Sequence, residues 1–320
     1  MMNNKNMMLN GMMGLVVGDA LGCPVQFLSR NEIKKRKRGP VTGMEGFGTF
    51  NMPPGTWTDD SSMSFAELAS IKEKGGIDLD DMMKKFVQWN FDGAFTPFGQ
   101  AFDQGMTCLQ AIWNFCARKD VTSCGKRGEY ANGNGALMRI LPVCIHLVMQ
   151  QTPTEEAVDQ VRKVTALTHN HLRSHIASGL HFFMVKSIMN REANDSFMDC
   201  LQRGLDEGFA FFKKDVENHK ELALFERRLA SLEAFAKVPE EEIKSTGYVL
   251  DTIEAAIWCL ITTEDIKTAL LKAVNLGDDT DTVAAIAGGL AGLFFGMDEI
   301  PAEWIKEIQK VDWIIDFCKE

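Results

Sequence analysis

The sequence contains no apolar run as long as a membrane span. Its longest run, residues 282–296, has 15 residues and directly follows an aspartate, whereas a helix needs about 20 consecutive apolar residues to cross a bilayer. The first eight residues also lack the continuous apolar stretch and the cleavage site of a signal peptide. We therefore expect a cytoplasmic protein that does not have a membrane as its partner.

Basic residues are also scarce, since 34 Lys and Arg stand against 44 Asp and Glu, a net charge of −10. Binding to phosphate backbones requires a basic surface, so this charge argues against a general nucleic-acid binder. The only dense basic run is Lys-Lys-Arg-Lys-Arg over residues 34–38. It fits a solvated loop or helix end, or else a rim that draws a phosphate-bearing substrate toward an acidic protein.

Paired cysteines and flexible linkers are absent too. Eight cysteines occur without a Cys-x-x-Cys pair, and five of them lie in apolar periodic segments, which is typical of reduced core residues. No Ser/Pro-rich or polar low-complexity stretch divides the chain, so we predict a single domain over residues 1–320. With 45% hydrophobic residues, this domain has enough apolar surface for a sizeable core.

Convincing strand patterns are missing as well, and we predict an all-α fold. Apolar residues recur with helical spacing from Asp78 onward, and the predicted helices span 80–91, 99–117, 136–150, 154–168, 172–189, 196–212, 220–237, 248–262, 264–274, 281–295 and 303–318. Thr154 and Thr263 each precede two acidic residues and are the predicted N-caps of two helices. Residues 39–57 are so rich in glycine and proline that we predict a long functional loop there.

The helix predicted over 281–295 combines an apolar stripe with a row of small residues. The small residues recur every four positions: Ala284, Gly288, Gly292 and Gly296. Such a row lets a neighbouring helix approach closely. We therefore expect this helix to be buried at the centre of the fold.

Two acidic segments lie at the starts of apolar, helical runs: Thr58-Asp59-Asp60 and Asp279-Thr280-Asp281-Thr282. Either could simply cap its helix, because Thr and Asp are common N-caps. Capping needs only one or two such residues, however, and together the segments offer four carboxylates and two hydroxyls. An oxygen-only ligand set of this kind suits a pair of Mg²⁺ or Mn²⁺ ions. We predict that the fold brings both segments together around such a pair.

Three other segments are candidates for function. Asp19 interrupts an apolar helix and needs hydrogen-bond partners, either as a structural anchor or as support for an active site. The N–H groups of Gly133-Asn134-Gly135 could hold a phosphate or ribose oxygen, although an ordinary turn has the same composition. His169 and His171 lie on a predicted turn without a third ligand at zinc spacing, which disfavours a zinc site.

Taken in order, these motifs resemble those of the ADP-ribosylglycohydrolase family. The resemblance covers nearly the whole chain and rests on Gly14-x-x-x-Gly18-Asp19-Ala20-Leu21-Gly22, Trp57-Thr58-Asp59-Asp60, Phe102-Asp103-x-Gly105, Gly133-Asn134-Gly135, Thr168-His169, Gly247-Tyr248-Val249 and Leu276-Gly277-x-Asp279-x-Asp281-Thr282. It implies an orthogonal multi-helix bundle with a binuclear Mg²⁺ or Mn²⁺ centre in a cleft.

The resemblance also implies roles for single residues. The first metal would be held by Thr58, Asp59 and Asp60, and the second by Asp279, Asp281 and Thr282, with ligands shared between them. Asp103 would lie near the water and the scissile bond, with Asp60 and Asp281 as the other catalytic aspartates. The ADP-ribose site would be lined by Gln26, Gly133, Asn134, Gly135 and His169, with Tyr248 bordering the adenosine.

The chain departs from the family pattern at two positions. Gln26 stands where glutamate is common at the end of the first motif, and a neutral amide cannot take a proton or offer a full charge to a metal. This change favours arginine-linked or small-molecule substrates over serine-linked ones, or a lower turnover. Asp278 replaces a more usual glycine and adds charge beside the second metal position.

The expected function is metal-dependent hydrolysis of the N-glycosidic bond of ADP-ribose. The substrate would be a protein ADP-ribosylated on arginine or a small ADP-ribose conjugate. One alternative is a non-catalytic ADP-ribose-binding protein in which Gln26 has removed turnover. A second alternative is a metal-dependent nucleotide phosphohydrolase.

Overall fold

The computed structural model describes residues 6–319, and no β-strand occurs among them. The α-helices are α1 (Met7–Gly22), α2 (Arg30–Lys35), α3 (Asp59–Lys74), α4 (Leu79–Asp92), α5 (Met106–Arg118), α6 (Leu141–Met149), α7 (Thr154–Ala166), α8 (Leu172–Met189), α9 (Phe197–Phe212), α10 (His219–Leu229), α11 (Leu232–Phe235), α12 (Val249–Ile261), α13 (Ile266–Asn275), α14 (Thr280–Phe295), α15 (Ala302–Glu307) and α16 (Val311–Cys318). The predicted all-α class is confirmed.

Most predicted helices are present, and the differences have local causes. The helix expected from residue 99 begins only at Met106, because Gly99 and Asp103 have φ angles of 77° and 59°. Residues other than glycine rarely adopt this left-handed backbone region, and a residue in this region interrupts a right-handed helix. The helix expected over 303–318 is divided in the same way at Lys310, whose φ is 52°.

Both predicted N-caps were wrong by one or two positions. α7 begins at Thr154 itself after Pro153, without a side-chain cap. Thr263 donates its hydroxyl backward to Cys259 O at 2.6 Å, and α13 is capped instead by Asp265, which accepts from Thr268 N at 2.7 Å. Where several capping residues stand side by side, local sequence does not decide which one ends in the cap geometry.

Backbone packs directly on backbone between α1 and α14 in the core. A Cβ atom at Gly18 would lie 2.0 Å from Ala284 O, and one at Gly14 would lie 2.0 Å from Gly288 O. The predicted burial of α14 and the role of its small residues are therefore confirmed, with a second row of glycines on α1. Gly296 does not take part, because it follows the helix with a φ of 91°.

The α14 helix also packs against α8, α12 and α13, so that apolar elements surround it. Residues 39–57 form no helix, as predicted, and lead the chain into the first turn of α3. This loop is tied down near its middle, where Thr49 N donates to Pro24 O at 3.0 Å. The fold thus fixes the starts of α3 and α14 relative to α1.

Within residues 6–319, one segment is long and apolar enough to cross a membrane by length and composition. It is Met7–Val25, with a mean hydropathy of 1.3, and 94% of this window is buried inside the fold. A buried core helix meets the same criteria of length and composition, so these criteria are only weak evidence that Met7–Val25 spans a membrane.

The packing of α1 on α14 leaves no room for a side chain at Gly18. We expect Gly18→Ala to lower the free energy of unfolding by roughly 3 kcal/mol, because the new methyl group meets a backbone carbonyl that cannot move away alone. Gly76→Ala is the matched control, since no atom lies within 4 Å of a Cβ at that position. Urea unfolding of both variants measures the effect, and equal stability of the two would contradict the close helix contact.

His181 on α8 is a buried histidine without a hydrogen-bond partner for either ring nitrogen within residues 6–319. Burial lowers the pKa of its imidazole from the ordinary 6.5 to about 4. The folded protein therefore keeps His181 neutral in a pH range where the unfolded chain binds a proton. This difference does not affect stability above pH 6.5 and opposes folding increasingly as the pH falls from 6.5 toward 4.

Acidification from pH 7 to pH 5 should cost the wild type about 2 kcal/mol more stability than the His181→Leu variant, because the variant cannot take up this proton on unfolding. Urea unfolding of both proteins at pH 7 and pH 5 measures the effect. The loss of stability between the two pH values is compared between wild type and variant, so the pH-independent effect of the substitution on packing cancels. The same loss in both proteins would mean that His181 is not held neutral.

Candidate active site

The first turns of α3 and α14 meet, so the two acidic segments of the sequence converge. Thr58 Oγ1 lies 3.2 Å from Asp60 Oδ2 and 3.4 Å from Asp281 Oδ2, although 223 positions separate Thr58 from Asp281. Thr282 Oγ1 lies 3.5 Å from Asp60 Oδ2. All four side chains are buried. The fold therefore brings hydroxyls and carboxylates from both segments into one cluster.

Asp19 of α1 fixes the first of these segments. Its carboxylate accepts hydrogen bonds from Thr58 N at 2.9 Å, Ser61 N at 3.1 Å and Ser61 Oγ at 2.5 Å. Burial raises the pKa of Asp19 to about 6, although these hydrogen bonds act in the opposite direction. Asp19 is thus a structural anchor that fixes the start of α3 at the site.

Burial and mutual repulsion raise the pKa values of the clustered carboxyl groups. The pKa values of Asp59, Asp60 and Asp281 lie well above their ordinary value, first because burial removes water and then because neighbouring aspartates repel a further negative charge. The strongest charged neighbours of each are other aspartates. Such a cluster is stable only when it binds protons or cations.

Several oxygens of the cluster remain available to a ligand. Asp60 Oδ1, Asp281 Oδ1 and Asp103 Oδ2 are buried, and no group in residues 6–319 donates a hydrogen bond to them. Buried acceptors seldom stay unpaired. Carboxylate and hydroxyl oxygens are the ligands that Mg²⁺ and Mn²⁺ prefer, so the residues present fit hard divalent cations.

The acidic side chains do not form a complete metal site by themselves. Within the described part of the chain, no three His, Cys, Asp or Glu side chains are close enough to do so. The hydroxyls of Thr58 and Thr282 and water would have to complete the ligand shell, which is common for Mg²⁺ because it keeps several waters.

Asp279 is oriented by two amides. Its Oδ2 accepts from Asn134 Nδ2 at 2.6 Å, and its Oδ1 accepts from Gln26 Nε2 at 3.4 Å. Asn134 is held in turn by its N–H, which donates to Gly247 O at 3.0 Å. The glycine-rich turn therefore supports a carboxylate of the cluster. Gln26 supplies a donor where a glutamate would add like charge.

A cavity of about 520 Å³ opens in front of the cluster, a size typical of small-molecule sites. Ten predicted site residues lie in its wall: Gln26, Asp59, Asp60, Asp103, Gly133, Asn134, Gly135, His169, Asp279 and Thr282. Thr58 and Asp281 are buried beneath the wall, where Thr58 contacts both Asp60 and Asp281. The predicted residues thus share one site, with one exception.

The exception is Tyr248, which does not lie in the wall. Its ring lies 5.6 Å from Cζ of Arg173, and its two predecessors, Thr246 and Gly247, line the cavity instead.

Asp103 lies in the loop before α5 and faces the cluster. Its pKa is raised to about 7, because burial outweighs hydrogen bonds with Gln26 and Asp281. A carboxyl group with this pKa can take up or release a proton near neutral pH.

His169 is held neutral in the same wall. Its pKa is lowered to about 3, first by burial and then by the nearby positive charges of Arg139 and Lys126. At neutral pH this side chain is therefore a hydrogen-bonding group and does not carry a proton to or from the substrate.

The wall also contains residues that sequence reasoning did not single out, among them Phe27, Met106, Thr107, Cys108, Met138 and Thr246. Several adjoin predicted motifs: Met106 follows Gly105, and Thr246 precedes Gly247. Extending each motif by up to three residues would have found them. Phe27 and Met106 are 64% and 78% exposed, so they lie at the open side of the cavity.

Two open questions from the sequence have structural answers. Asp278 has a φ of 59°, a region that glycine occupies without strain, which explains why glycine is more usual there. The basic run lies at the end of α2 outside the cavity wall, where Arg36 pairs with Glu45 at 2.9 Å. It is a helix end and is not a rim of this cavity.

Comparisons with known proteins agree with this geometry. The family model described as ADP-ribosylglycohydrolase matches residues 2–320. The chain is 27% identical to an ADP-ribosylarginine hydrolase of Serratia proteamaculans, over 97% of this chain and 77% of that one. It is 29% identical to an ADP-ribosyl-[dinitrogen reductase] glycohydrolase of Rhodospirillum rubrum, over 94% and 89% of the two chains.

A solved structure has the same fold. It is described as an ADP-ribosylglycohydrolase-related protein complex, with a TM-score of 0.76 and 25% identity over 99% of this chain and 97% of that one. Because the family model spans nearly the whole sequence, this chain belongs to the ADP-ribosylglycohydrolase family and is a glycosidase.

Proposed function

We propose that the protein is a divalent-metal-dependent hydrolase that releases ADP-ribose from ADP-ribosylated arginine. The observation that carries this proposal is the convergence of Asp59, Asp60, Asp279 and Asp281 in one cluster beside the cavity. Asp60 and Asp281 each keep an unpaired buried oxygen, and the pKa values of Asp59, Asp60 and Asp281 are raised. An all-oxygen cluster that lacks compensating positive charge calls for cations such as Mg²⁺ or Mn²⁺.

Arginine is the proposed linkage for two reasons. Two relatives that align over most of the chain carry names of hydrolases, and one of them is named for ADP-ribosylarginine. In this chain Gln26 donates to Asp279 and thereby stabilises a carboxylate. A glutamate at this position could exchange protons, and Gln26 cannot. On sequence grounds, this change favours arginine-linked over serine-linked substrates.

The metal would be held by the residues at the two helix starts, Thr58, Asp59 and Asp60 on one side and Asp279, Asp281 and Thr282 on the other. Two bound ions would balance the charge of the aspartates and polarise water and sugar oxygens.

The remaining steps belong to the side chains of the protein. Cleavage at the anomeric carbon passes through an oxocarbenium-like transition state, and the carboxylates around the cavity stabilise the positive charge that develops on the sugar ring. Asp103, whose side chain lies in the cavity wall, takes the proton of the attacking water or gives one to the departing guanidine. Asn134 and Gln26 keep the Asp279 carboxylate oriented.

The test is a product assay with arginine-, serine- and acetyl-linked ADP-ribose and with ADP-ribose itself, after chelation and after addition of Mg²⁺ or Mn²⁺. We expect ADP-ribose from the arginine conjugate only when metal is present, and a loss of at least about 100-fold in Asp60→Asn, which removes one charge from the cluster. Asp312→Asn, an exposed aspartate in the first turn of α16, is the matched control and should keep wild-type activity.

The same assay separates the alternatives. Tight binding of ADP-ribose without turnover of any conjugate would favour a binding protein, and restored turnover in Gln26→Glu would assign the loss to that residue. Release of inorganic phosphate would favour a phosphohydrolase. Metal-independent release of ADP-ribose would contradict the proposed role of the aspartates.

A further inference from the structure

A buried ion pair lies behind His169 and is connected to it by one hydroxyl group. The Arg139 guanidinium pairs with Glu67 Oε1 of α3, and both side chains are fully buried. Arg139 Nη2 donates to Thr168 Oγ1 at 2.9 Å, and Thr168 Oγ1 lies 2.8 Å from His169 Nδ1. The chain of contacts ends at the cavity, because His169 lies in its wall.

The direction of these hydrogen bonds follows from what each group can do. A guanidinium only donates, so Thr168 Oγ1 accepts from Arg139. The single hydroxyl proton of Thr168 is then free to be donated to His169 Nδ1. A neutral imidazole that accepts at Nδ1 must carry its own proton on Nε2.

The Cys108 sulfur is a competing acceptor for the Thr168 hydroxyl. Burial raises the pKa of its thiol to about 12, so the sulfur stays protonated and is a weak acceptor compared with an imidazole nitrogen. The positive charge of Arg139 also favours a lone pair at Nδ1 over an N–H pointing toward it.

The backbone at His169 is fixed by hydrogen bonds, and the Nε2 edge of its ring meets the glycine-rich turn. His169 N donates to Thr165 O at 3.0 Å, and the neighbouring Asn170 N donates to Lys126 O at 2.8 Å. A Cβ atom at Gly135 would lie 2.9 Å from Cε1 of the ring, and one at Gly133 would lie 3.4 Å from Nε2. The absence of side chains there leaves Nε2 open to the cavity.

We propose that the Glu67–Arg139 pair, acting through Thr168, locks His169 in the tautomer that carries its proton on Nε2. The cavity then presents a fixed N–H donor to an acceptor oxygen of the bound molecule. Glu67, Arg139 and Thr168 are positioning residues, and His169 is a binding residue that does not transfer protons. Only the identity of the acceptor, an oxygen of ADP-ribose, rests on the proposed function.

The test is a long-range ¹H–¹⁵N correlation spectrum of the full-length protein labelled with ¹⁵N-histidine. The chain has six histidines, and His169→Gln assigns the relevant signals by their loss. We expect a protonated-type nitrogen shift at Nε2 and an unprotonated-type shift at Nδ1. Thr168→Ser should keep this pattern, whereas Thr168→Val should give a mixture of tautomers or reverse it.

Protonation of Nδ1 in the wild type, or the same spectrum in Thr168→Val and wild type, would overturn the proposal. Should Thr168→Val fail to fold, the wild-type and Thr168→Ser spectra still decide it. With ADP-ribose as the probe, we expect about tenfold weaker binding in Thr168→Val and near wild-type binding in Thr168→Ser. If the wild type does not bind ADP-ribose, the proposed function is wrong. The tautomer of His169 is then decided by the ¹H–¹⁵N spectrum alone.

Discussion

The structure depends on the burial of a group of aspartates that repel one another at the starts of two helices. Desolvation and like charge both disfavour ionisation there, which raises the pKa values of Asp59, Asp60 and Asp281. A fold that keeps such a cluster must hold the carboxylates in place by other means and must give them a partner. A cavity opens in front of them.

The contacts that hold the carboxylates in place come from several parts of the chain. Asp19 ties the start of α3 to α1, and the glycines of α1 allow α14 to approach until Thr280 Oγ1 donates to Gly22 O at 2.8 Å. Asn134 orients Asp279 from a third side. The site therefore needs α1, α3, α14 and the loop at residues 131–136 together. A change in the packing of these helices would also move the carboxylates of the active site.

Local patterns in the sequence predicted the helices well and singled out the two acidic segments of the site, whereas Gln26, Asp103 and Tyr248 became site candidates only through motif order. The small-residue row of α14 predicted a close neighbour, but nothing local identified α1 as that neighbour, since helix pairing is decided by the whole core. The cap at Asp265 was missed because Thr263 is locally as good a capping residue. The Glu67–Arg139 pair was not foreseen, because 72 positions separate the two residues and each occurs in an ordinary helical or turn context.

The most direct test of the account is the number of Mn²⁺ ions bound per chain, measured by equilibrium dialysis together with electron paramagnetic resonance. Convergence of the two acidic segments on a shared centre predicts two ions with spin-coupled signals, because close metals that share ligands interact, and the loss of both in the double variant Asp60→Asn/Asp281→Asn. One uncoupled ion, no ion, or unchanged binding in the double variant would contradict a binuclear centre built from these residues.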